Sequence, residues 1–187
     1  VMAGEGSAIS GSLVIGGISF AAAIVILVGQ GLRHVSRLER LGITDSLTGL
    51  PNRNAFHHDF RRLMRDHEEM AVALLDLDGF MLVNEHYGHP IGDRAIRESA
   101  AAFLTVCGPE AALYRLGGDE FALLKSGPLA ATLVEGMCRR IVDRMTRPLL
   151  VDDRRLTLGA SVGLARRSCG EDTSSSELLR RADVAMY

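Results

Sequence analysis

The chain has 187 residues, of which 47% are hydrophobic and 24% are charged, and its formal net charge at pH 7 is −2. This composition excludes an intrinsically disordered chain, because the apolar fraction is ordinary and the net charge is small. It also excludes a free-standing nucleic-acid-binding protein, since no basic excess is present to neutralise phosphates. The cysteines (Cys107, Cys138 and Cys169) are odd in number and form no CxxC pair, which predicts buried free thiols rather than a disulfide framework.

The N-terminal part of the chain has the pattern of a membrane-spanning helix. Residues 6–32 carry no charged side chain, and residues 12–28 are apolar apart from glycine and serine. With its flanks this segment supplies the roughly 20 apolar residues that a transmembrane helix needs. A buried core helix and a signal peptide are the alternatives, but core helices are usually shorter and amphipathic, and only Glu5 precedes the apolar run. We therefore predict a transmembrane segment over residues 1–32.

Basic residues flank only the C-terminal side of this segment, where Arg33, Arg37 and Arg40 follow it. The positive-inside rule then places the remainder of the chain in the cytoplasm. Residues 33–43 have apolar positions at roughly helical spacing, which predicts a juxtamembrane linker helix. Because residue 1 is not Met and Tyr187 falls inside a helical pattern, we expect a fragment of a longer protein.

Beyond the linker, the hydrophobic pattern predicts helices alternating with strands. Helices are predicted over residues 53–69, 89–106 and 128–145, and a last one from about residue 176. Strands are predicted over residues 70–75, 112–116, 120–125, 149–151 and 156–164. Gly117 and Gly118 form a tight hairpin turn between the second and third strands.

This order of elements predicts an α/β (α+β) fold with a ferredoxin-like, antiparallel-core sheet flanked by helices. The first and third strands would be adjacent in the middle of the sheet, and the first and second strands would run parallel. The end of the first strand, with Asp76 and Asp78, would then lie beside the hairpin that carries Asp119 and Glu120. Four carboxylates from two distant segments are predicted to converge at one edge.

Converging carboxylates repel one another, and either proton uptake or a bound cation relieves the repulsion. Carboxylate oxygens suit Mg²⁺, which proteins usually hold with one or two carboxylates and substrate phosphates. Gly79, Gly117 and Gly118 would let the backbone approach a phosphate chain closely. Alone, the DxD sequence indicates a solvated turn and the GGDE sequence a polar hairpin tip. Together at one edge they predict a metal–phosphate site.

Several segments, in order along the chain, resemble the motifs of one family. Residues 115–121 (RLGGDEF) resemble the RxGGDEF motif of the GGDEF family, the bacterial diguanylate cyclases. Residues 45–53 resemble its DxLTGLxNR segment, and residues 76–93 resemble its DxDxFKxxNDxxGHxxGD run. Residues 161–165 resemble its SxGIA strand, and residues 182–187 resemble the start of its closing helix.

The resemblance implies a nucleotide-cyclase-like fold and a GGDEF domain over residues 44–187, truncated at its C-terminus. It implies condensation of two GTP into cyclic di-GMP and two pyrophosphates, at a site formed between the subunits of a homodimer. Mg²⁺ or Mn²⁺ would be held by Asp76, the carbonyl of Leu77 and Asp119. Asp119 or Glu120 would help to deprotonate the attacking 3′-hydroxyl.

The resemblance also implies which residues bind the substrate: Phe80, Asn84, His89, Asp93, Gly117 and Gly118. Asn84 and Asp93 match the guanine-binding pair of the family. A carboxylate can accept from both N1–H and the 2-amino group of guanine, and adenine presents no such pair of donors. The alternatives are a turn-forming Asn84, a helix-capping Asp93 and a structural His89.

Three functions are compatible with these features. The leading hypothesis is an active diguanylate cyclase, anchored in the inner membrane by one span and facing the cytoplasm. The second is a GTP-binding GGDEF module with little turnover that regulates a fused C-terminal EAL phosphodiesterase domain. Met81 favours the second, because the family usually has Lys there and Met offers no charge to a triphosphate. The third is a signalling scaffold that dimerises through its membrane segment. An upstream sensor domain is a further expected fusion partner, and nucleic acid is not an expected one.

Overall fold

The structure is a computed structural model that describes residues 42–186. Its helices are α1 (Arg53–Arg65), α2 (Phe80–Tyr87), α3 (His89–Cys107), α4 (Ala130–Met145) and α5 (Ser175–Met186). Its strands are β1 (Met70–Asp76), β2 (Ala112–Gly117), β3 (Glu120–Ser126), β4 (Leu149–Val151), β5 (Arg154–Leu156) and β6 (Ser161–Arg167).

The predicted transmembrane segment, residues 1–32, lies outside the described residues, and so does the predicted linker helix apart from residues 42 and 43. Within residues 42–186, no helix has both the length and the apolar character that a membrane crossing requires.

The main sheet has four strands in the order β2-β3-β1-β6, and every neighbouring pair is antiparallel. β4 and β5 form a separate two-stranded hairpin. The predicted placement of the first and third strands side by side in the middle is confirmed. Because β1 and β2 are both antiparallel to β3, they run parallel to each other. The C-terminal end of β1 therefore lies at the same edge as the β2–β3 turn.

Helices cover both faces of the sheet, which explains why β1 reads as a continuous apolar run rather than an alternating one. On one face, Ala71, Ala73 and Leu75 are buried in a core cluster with residues of α3 and α4, including Phe103 and Ile141. On the other face, Met70 and Val72 are buried with residues of α1 and α5, including Phe56, Phe60 and Leu178.

The first helix starts where predicted and ends four residues early. It starts there because the side chain of Asn52 accepts hydrogen bonds from the backbone N–H groups of Asn54 and Ala55, which caps the first turn. It ends at Arg65 because the buried guanidinium of Arg167 donates to the carbonyls of Leu63 and Met64, which takes up carbonyls of the last helical turn. The predicted extension to residue 69 is wrong.

Three other sequence predictions need correction. An eight-residue helix, α2, follows the first strand and was not predicted, because it is short and is bounded by Gly79 and Gly88. The predicted strand over residues 156–164 is interrupted, since Gly159 pairs its backbone with that of Asp78 instead of with the sheet. The thiols of Cys107 and Cys138 are buried, as predicted, whereas Cys169 is exposed.

Candidate active site

The structure brings the acidic residues of β1 and of the β2–β3 hairpin to one edge of the sheet. Asp76 and Glu120 are direct register partners on neighbouring strands, and Asp119 precedes Glu120 in the turn. Burial raises the pKa of the half-buried Asp76 carboxyl, and the negative charges of Asp119, Glu120 and Asp78 raise it further. The carboxylate of Asp76 is therefore close enough to the other three to be repelled by them.

Two of the four carboxylates already have partners within the protein. Asp78 accepts a hydrogen bond from the hydroxyl of Ser161 at 2.7 Å, and its backbone exchanges two hydrogen bonds with Gly159. Glu120 forms an ion pair with Arg53, with 2.9 Å between carboxylate oxygen and Nη2. Asp78 thus ties the β1–α2 connection to the segment before β6, and Glu120 is held against the N-terminus of α1.

The other two carboxylates, Asp76 and Asp119, make no hydrogen bond or ion pair with any residue in 42–186. Across the same residues, no cluster of three or more His, Cys, Asp or Glu side chains is arranged to enclose a metal ion. Two unpaired carboxylates at an open edge are nevertheless the donor set that Mg²⁺ uses when substrate phosphates complete its coordination. The donor chemistry of this edge therefore fits a divalent cation bound together with a phosphorylated substrate.

The hairpin turn consists of Gly118 and Asp119, one residue later than predicted, because Gly117 pairs with Glu120 at the end of β2. Both glycines have positive φ, 137° at Gly117 and 55° at Gly118. The side chain of Arg115 holds the turn in place, because its Nε and Nη2 donate to the carbonyl of Gly118 at 3.2 and 2.7 Å. Arg53 also stabilises this hairpin, since its Nε donates to the carbonyl of Leu116 at 2.8 Å. The position of Asp119 is therefore set by a turn that two arginines support.

Arg115 also connects the hairpin to the turn before α1. Its Nη1 donates to both carboxylate oxygens of Asp45, at 2.9 and 3.0 Å, and its side chain is only 9% exposed. Thr48 donates to Asp45 through its backbone N–H and its hydroxyl. Burial would raise the pKa of Asp45, but the hydrogen bonds from Thr48 and Arg115 and the charge of Arg115 outweigh it and lower that pKa.

We expect Asp45→Asn to reduce the free energy of unfolding by about 2 kcal/mol at neutral pH, because it removes a hydrogen-bonded, charged partner of a buried arginine. A lowered pKa means that this stabilisation is present above the unfolded-state value near 3.8 and is lost as the pH falls through the folded-state value. Urea unfolding at pH 7 and pH 3 checks both points, with the exposed Asp172→Asn as control. A pH-independent difference between wild type and Asp45→Asn would contradict the assignment.

The residues expected to bind the base meet where α2 packs on α3. Asn84 is half-buried on α2, and Asp93 is exposed in the first turn of α3, directly after Gly92. A Cβ atom on Gly92 would overlap the carboxamide oxygen of Asn84 and would lie 3.3 Å from Cζ of Phe80. Phe80, Asn84 and the start of α3 are thus in contact.

The other predicted site residues take different positions. His89 is the exposed first residue of α3, and within the described part of the chain it forms no hydrogen bond or ion pair with Asn84 or Asp93. The carbonyl of Leu77 accepts a hydrogen bond from the N–H of Phe80 at 3.3 Å and keeps a second lone pair. Leu77 and Phe80 therefore link the acidic edge to the contact between α2 and α3.

The sequence interpretation gave no role to four residues that organise the site: Asp45, Arg53, Arg115 and Ser161. All four lie in segments that resemble family motifs, at residues 45–53, 115–121 and 161–165, which was the available signal. Their roles became visible only through partners that are far away in sequence. Arg53 and Glu120, for example, are separated by 67 positions.

Comparison with known proteins decides the family. The family model "Diguanylate cyclase, GGDEF domain" matches residues 42–187. This chain belongs to the GGDEF family. The GGDEF domain includes all of the described residues, and the family predicted from the sequence motifs is confirmed.

Among curated relatives, the chain is 39% identical over 157 residues to the cyclic di-GMP phosphodiesterase PdeR of Escherichia coli K12, covering 83% of this chain and 23% of PdeR. It is 36% identical over 169 residues to the bifunctional diguanylate cyclase/cyclic di-GMP phosphodiesterase MucR of Pseudomonas aeruginosa, covering 87% of this chain and 24% of MucR. The chain thus spans less than a quarter of either relative.

Among solved structures, the coiled coil and GGDEF domain of DgcB from Caulobacter crescentus, in complex with c-di-GMP, is similar to this chain with a TM-score of 0.80. The two chains are 30% identical, and the alignment covers 90% of this chain and 91% of that one. The GGDEF fold of the domain, an α+β nucleotide-cyclase-like fold with an antiparallel sheet, is therefore shown, and the fold prediction is confirmed for the described residues.

Proposed function

We propose that this GGDEF domain condenses two GTP into cyclic di-GMP and two pyrophosphates, at a site formed between the subunits of a homodimer. The observation that carries the proposal is the pair of unpartnered carboxylates, Asp76 and Asp119, beside a glycine turn at one edge of the sheet. A phosphate chain can approach Gly117 and Gly118 closely because neither has a side chain. Membership of a family of diguanylate cyclases supports the same reaction.

A divalent cation, Mg²⁺ or Mn²⁺, would be held by Asp76, the carbonyl of Leu77 and Asp119. The raised pKa of Asp76 has causes that a cation would offset, namely burial and the charges of neighbouring carboxylates. When bound, the ion would polarise the phosphoryl oxygens and neutralise their charge. The carboxylates of the chain position the ion, and the fixed hairpin positions one of them.

Glu120 is the better candidate for accepting the proton of the attacking 3′-hydroxyl, since Asp119 is assigned to the ion. The ion pair with Arg53 keeps the Glu120 carboxylate at the edge where the hydroxyl would arrive. Arg53 is thus a positioning residue in this proposal. Phe80, His89 and the two hairpin glycines would contact the nucleotide without taking part in proton transfer.

Guanine would be recognised by Asn84 and Asp93, on the facing parts of α2 and α3. We expect Asp93→Asn to reduce the preference for GTP over ATP by about 10-fold to 100-fold, because an amide donor would then face the donor edge of guanine at a cost of about 1–3 kcal/mol. Calorimetric titration with GTP and ATP analogues checks this, with the exposed Asp66→Asn as control. Unchanged discrimination would remove Asp93 from base recognition.

A second candidate function is a GTP-binding module with little turnover that regulates a fused EAL phosphodiesterase domain. Met81 supports it, because the side chain is 68% exposed at a position where the family usually has Lys. The relatives support it as well, since PdeR is named a phosphodiesterase and MucR a bifunctional cyclase and phosphodiesterase. We propose for either function a cytoplasmic domain on a membrane-anchored protein, as the charge pattern around residues 1–43 predicts.

The experiment that tests the proposal uses the complete protein with Mg²⁺ and radiolabelled GTP. Cyclic di-GMP and pyrophosphate in a ratio of one to two are the expected products. Saturable GTP binding without product, together with a GTP-dependent change in phosphodiesterase activity, would instead establish the regulatory module. If the protein neither forms cyclic di-GMP nor binds GTP, both functions are contradicted.

A further inference from the structure

Gly92 lies inside a helix, where glycine lowers the stability of the fold relative to alanine, so its presence needs a specific reason. It lies in α3 with a φ outside the left-handed region, so alanine could adopt the same backbone conformation. Glycine inside a helix is less stable than alanine by about 0.5–1 kcal/mol. Gly92 is also buried, so exposure to solvent does not account for it.

The space that a side chain at this position would need is filled by Asn84. A Cβ atom on Gly92 would overlap the Asn84 carboxamide oxygen and would lie 3.0 Å from its Cγ. The next nearest atom is Cζ of Phe80, at 3.3 Å. Both are ends of side chains on α2, and no backbone atom of a neighbouring element is among them. A methyl group would therefore displace the Asn84 carboxamide before it displaced a helix.

Gly136 provides a matched comparison within the same domain. It also lies inside a helix, α4, and is half-buried. A Cβ atom there would meet only Nη1 of Arg140, at the ordinary contact distance of 3.5 Å. Alanine at Gly136 is thus expected to be harmless or slightly stabilising, whereas alanine at Gly92 has a defined steric consequence.

We propose that Gly92 is a positioning residue for base recognition. Because Gly92 has no side chain, the carboxamide of Asn84 can lie against the first turn of α3, next to Gly92 and one residue before Asp93. Among the described residues, the carboxamide has no hydrogen-bonding partner that would otherwise hold it there. Gly92 thus sets the position of Asn84 by steric fit. This inference rests on the proposed function, because it assigns Asn84 to the guanine base.

Gly92→Ala is expected to lower the affinity for a non-hydrolysable GTP analogue about tenfold, the effect of losing one good hydrogen bond. The affinity for inorganic tripolyphosphate with Mg²⁺, which has no base, should not change, and the melting temperature should not fall. Gly136→Ala should leave both affinities unchanged and should not lower the melting temperature. In an Asn84→Ala background, Gly92→Ala should cause no further loss, since the group that it displaces is absent.

Equal losses for the GTP analogue and for tripolyphosphate would show a general structural role and would overturn the proposal. Retention of wild-type GTP affinity by Gly92→Ala would also overturn it. A shift of the Asn84 side-chain amide resonance in the NMR spectrum of Gly92→Ala, absent in Gly136→Ala, tests the steric step without nucleotide. If the wild-type protein itself shows no preference for the GTP analogue over the ATP analogue, the proposed function fails, and that result is distinct from a failure confined to Gly92→Ala.

Discussion

Asp119→Asn is expected to reduce cyclic di-GMP synthesis by the complete protein at least about 100-fold, because loss of a direct ligand should exceed the 10-fold to 100-fold cost of losing residues that only orient ligands. The free energy of unfolding should change by less than about 0.5 kcal/mol, since the residue lies in a turn and makes no hydrogen bond or ion pair within residues 42–186. The substitution keeps the size of the side chain and removes its charge.

The measurement is an initial-rate assay of product formation at saturating GTP and Mg²⁺, paired with urea unfolding of the same preparation. Asp153→Asn is the control, because Asp153 is an exposed aspartate in the turn between β4 and β5. Activity of Asp119→Asn near the wild-type rate would remove Asp119 from the metal site. A large loss of stability would show that the hairpin depends on this carboxylate for folding.

Arg167→Met should have the largest effect on folding, a loss of about 3 kcal/mol in the free energy of unfolding. The side chain of Arg167 is 2% exposed, and its guanidinium donates to the carbonyls of Met64 at 2.7 Å and Glu68 at 2.9 Å. It also donates to the carbonyl of Leu63 at 3.4 Å. Methionine preserves the apolar stem but leaves the carbonyls of Met64 and Glu68 without this donor, whereas the carbonyl of Leu63 keeps the N–H of Asp66.

Urea denaturation at neutral pH measures this loss, and Arg166→Met is the control. Arg166 is the preceding residue of β6 and is exposed, so its substitution removes the same charge without touching the end of α1. Equal stabilities of the two variants would contradict the role assigned to Arg167. Amide hydrogen exchange should show faster opening of the C-terminal turn of α1 in Arg167→Met alone.

The topology could be predicted because it depends on patterns within short segments. β1 is recognisable from its apolar run, and the paired glycines identify the β2–β3 turn. The end of α1 could not be predicted, because it depends on Arg167, about a hundred positions later. The interruption before β6 has a similar origin, since the backbone of Gly159 pairs with Asp78 across the fold.

The convergence of the carboxylates follows from topology and could be predicted as well. Their individual states could not, because they depend on side-chain partners in other elements. Ser161 engages Asp78 and Arg53 engages Glu120, which leaves two of the four carboxylates unpartnered within the described residues. The contact between Gly92 and Asn84 was invisible in sequence for the same reason, since it depends on how closely α2 packs on α3.

We propose above all that a divalent cation and GTP bind at the edge formed by Asp76 and Asp119. Paramagnetic relaxation by Mn²⁺ tests it most directly, in NMR spectra of the protein with a non-hydrolysable GTP analogue. We predict that line broadening is centred on the backbone amides of residues 76–80 and 117–120, and that it is lost in Asp76→Asn. Broadening centred on another surface, or unchanged in Asp76→Asn, would contradict the account.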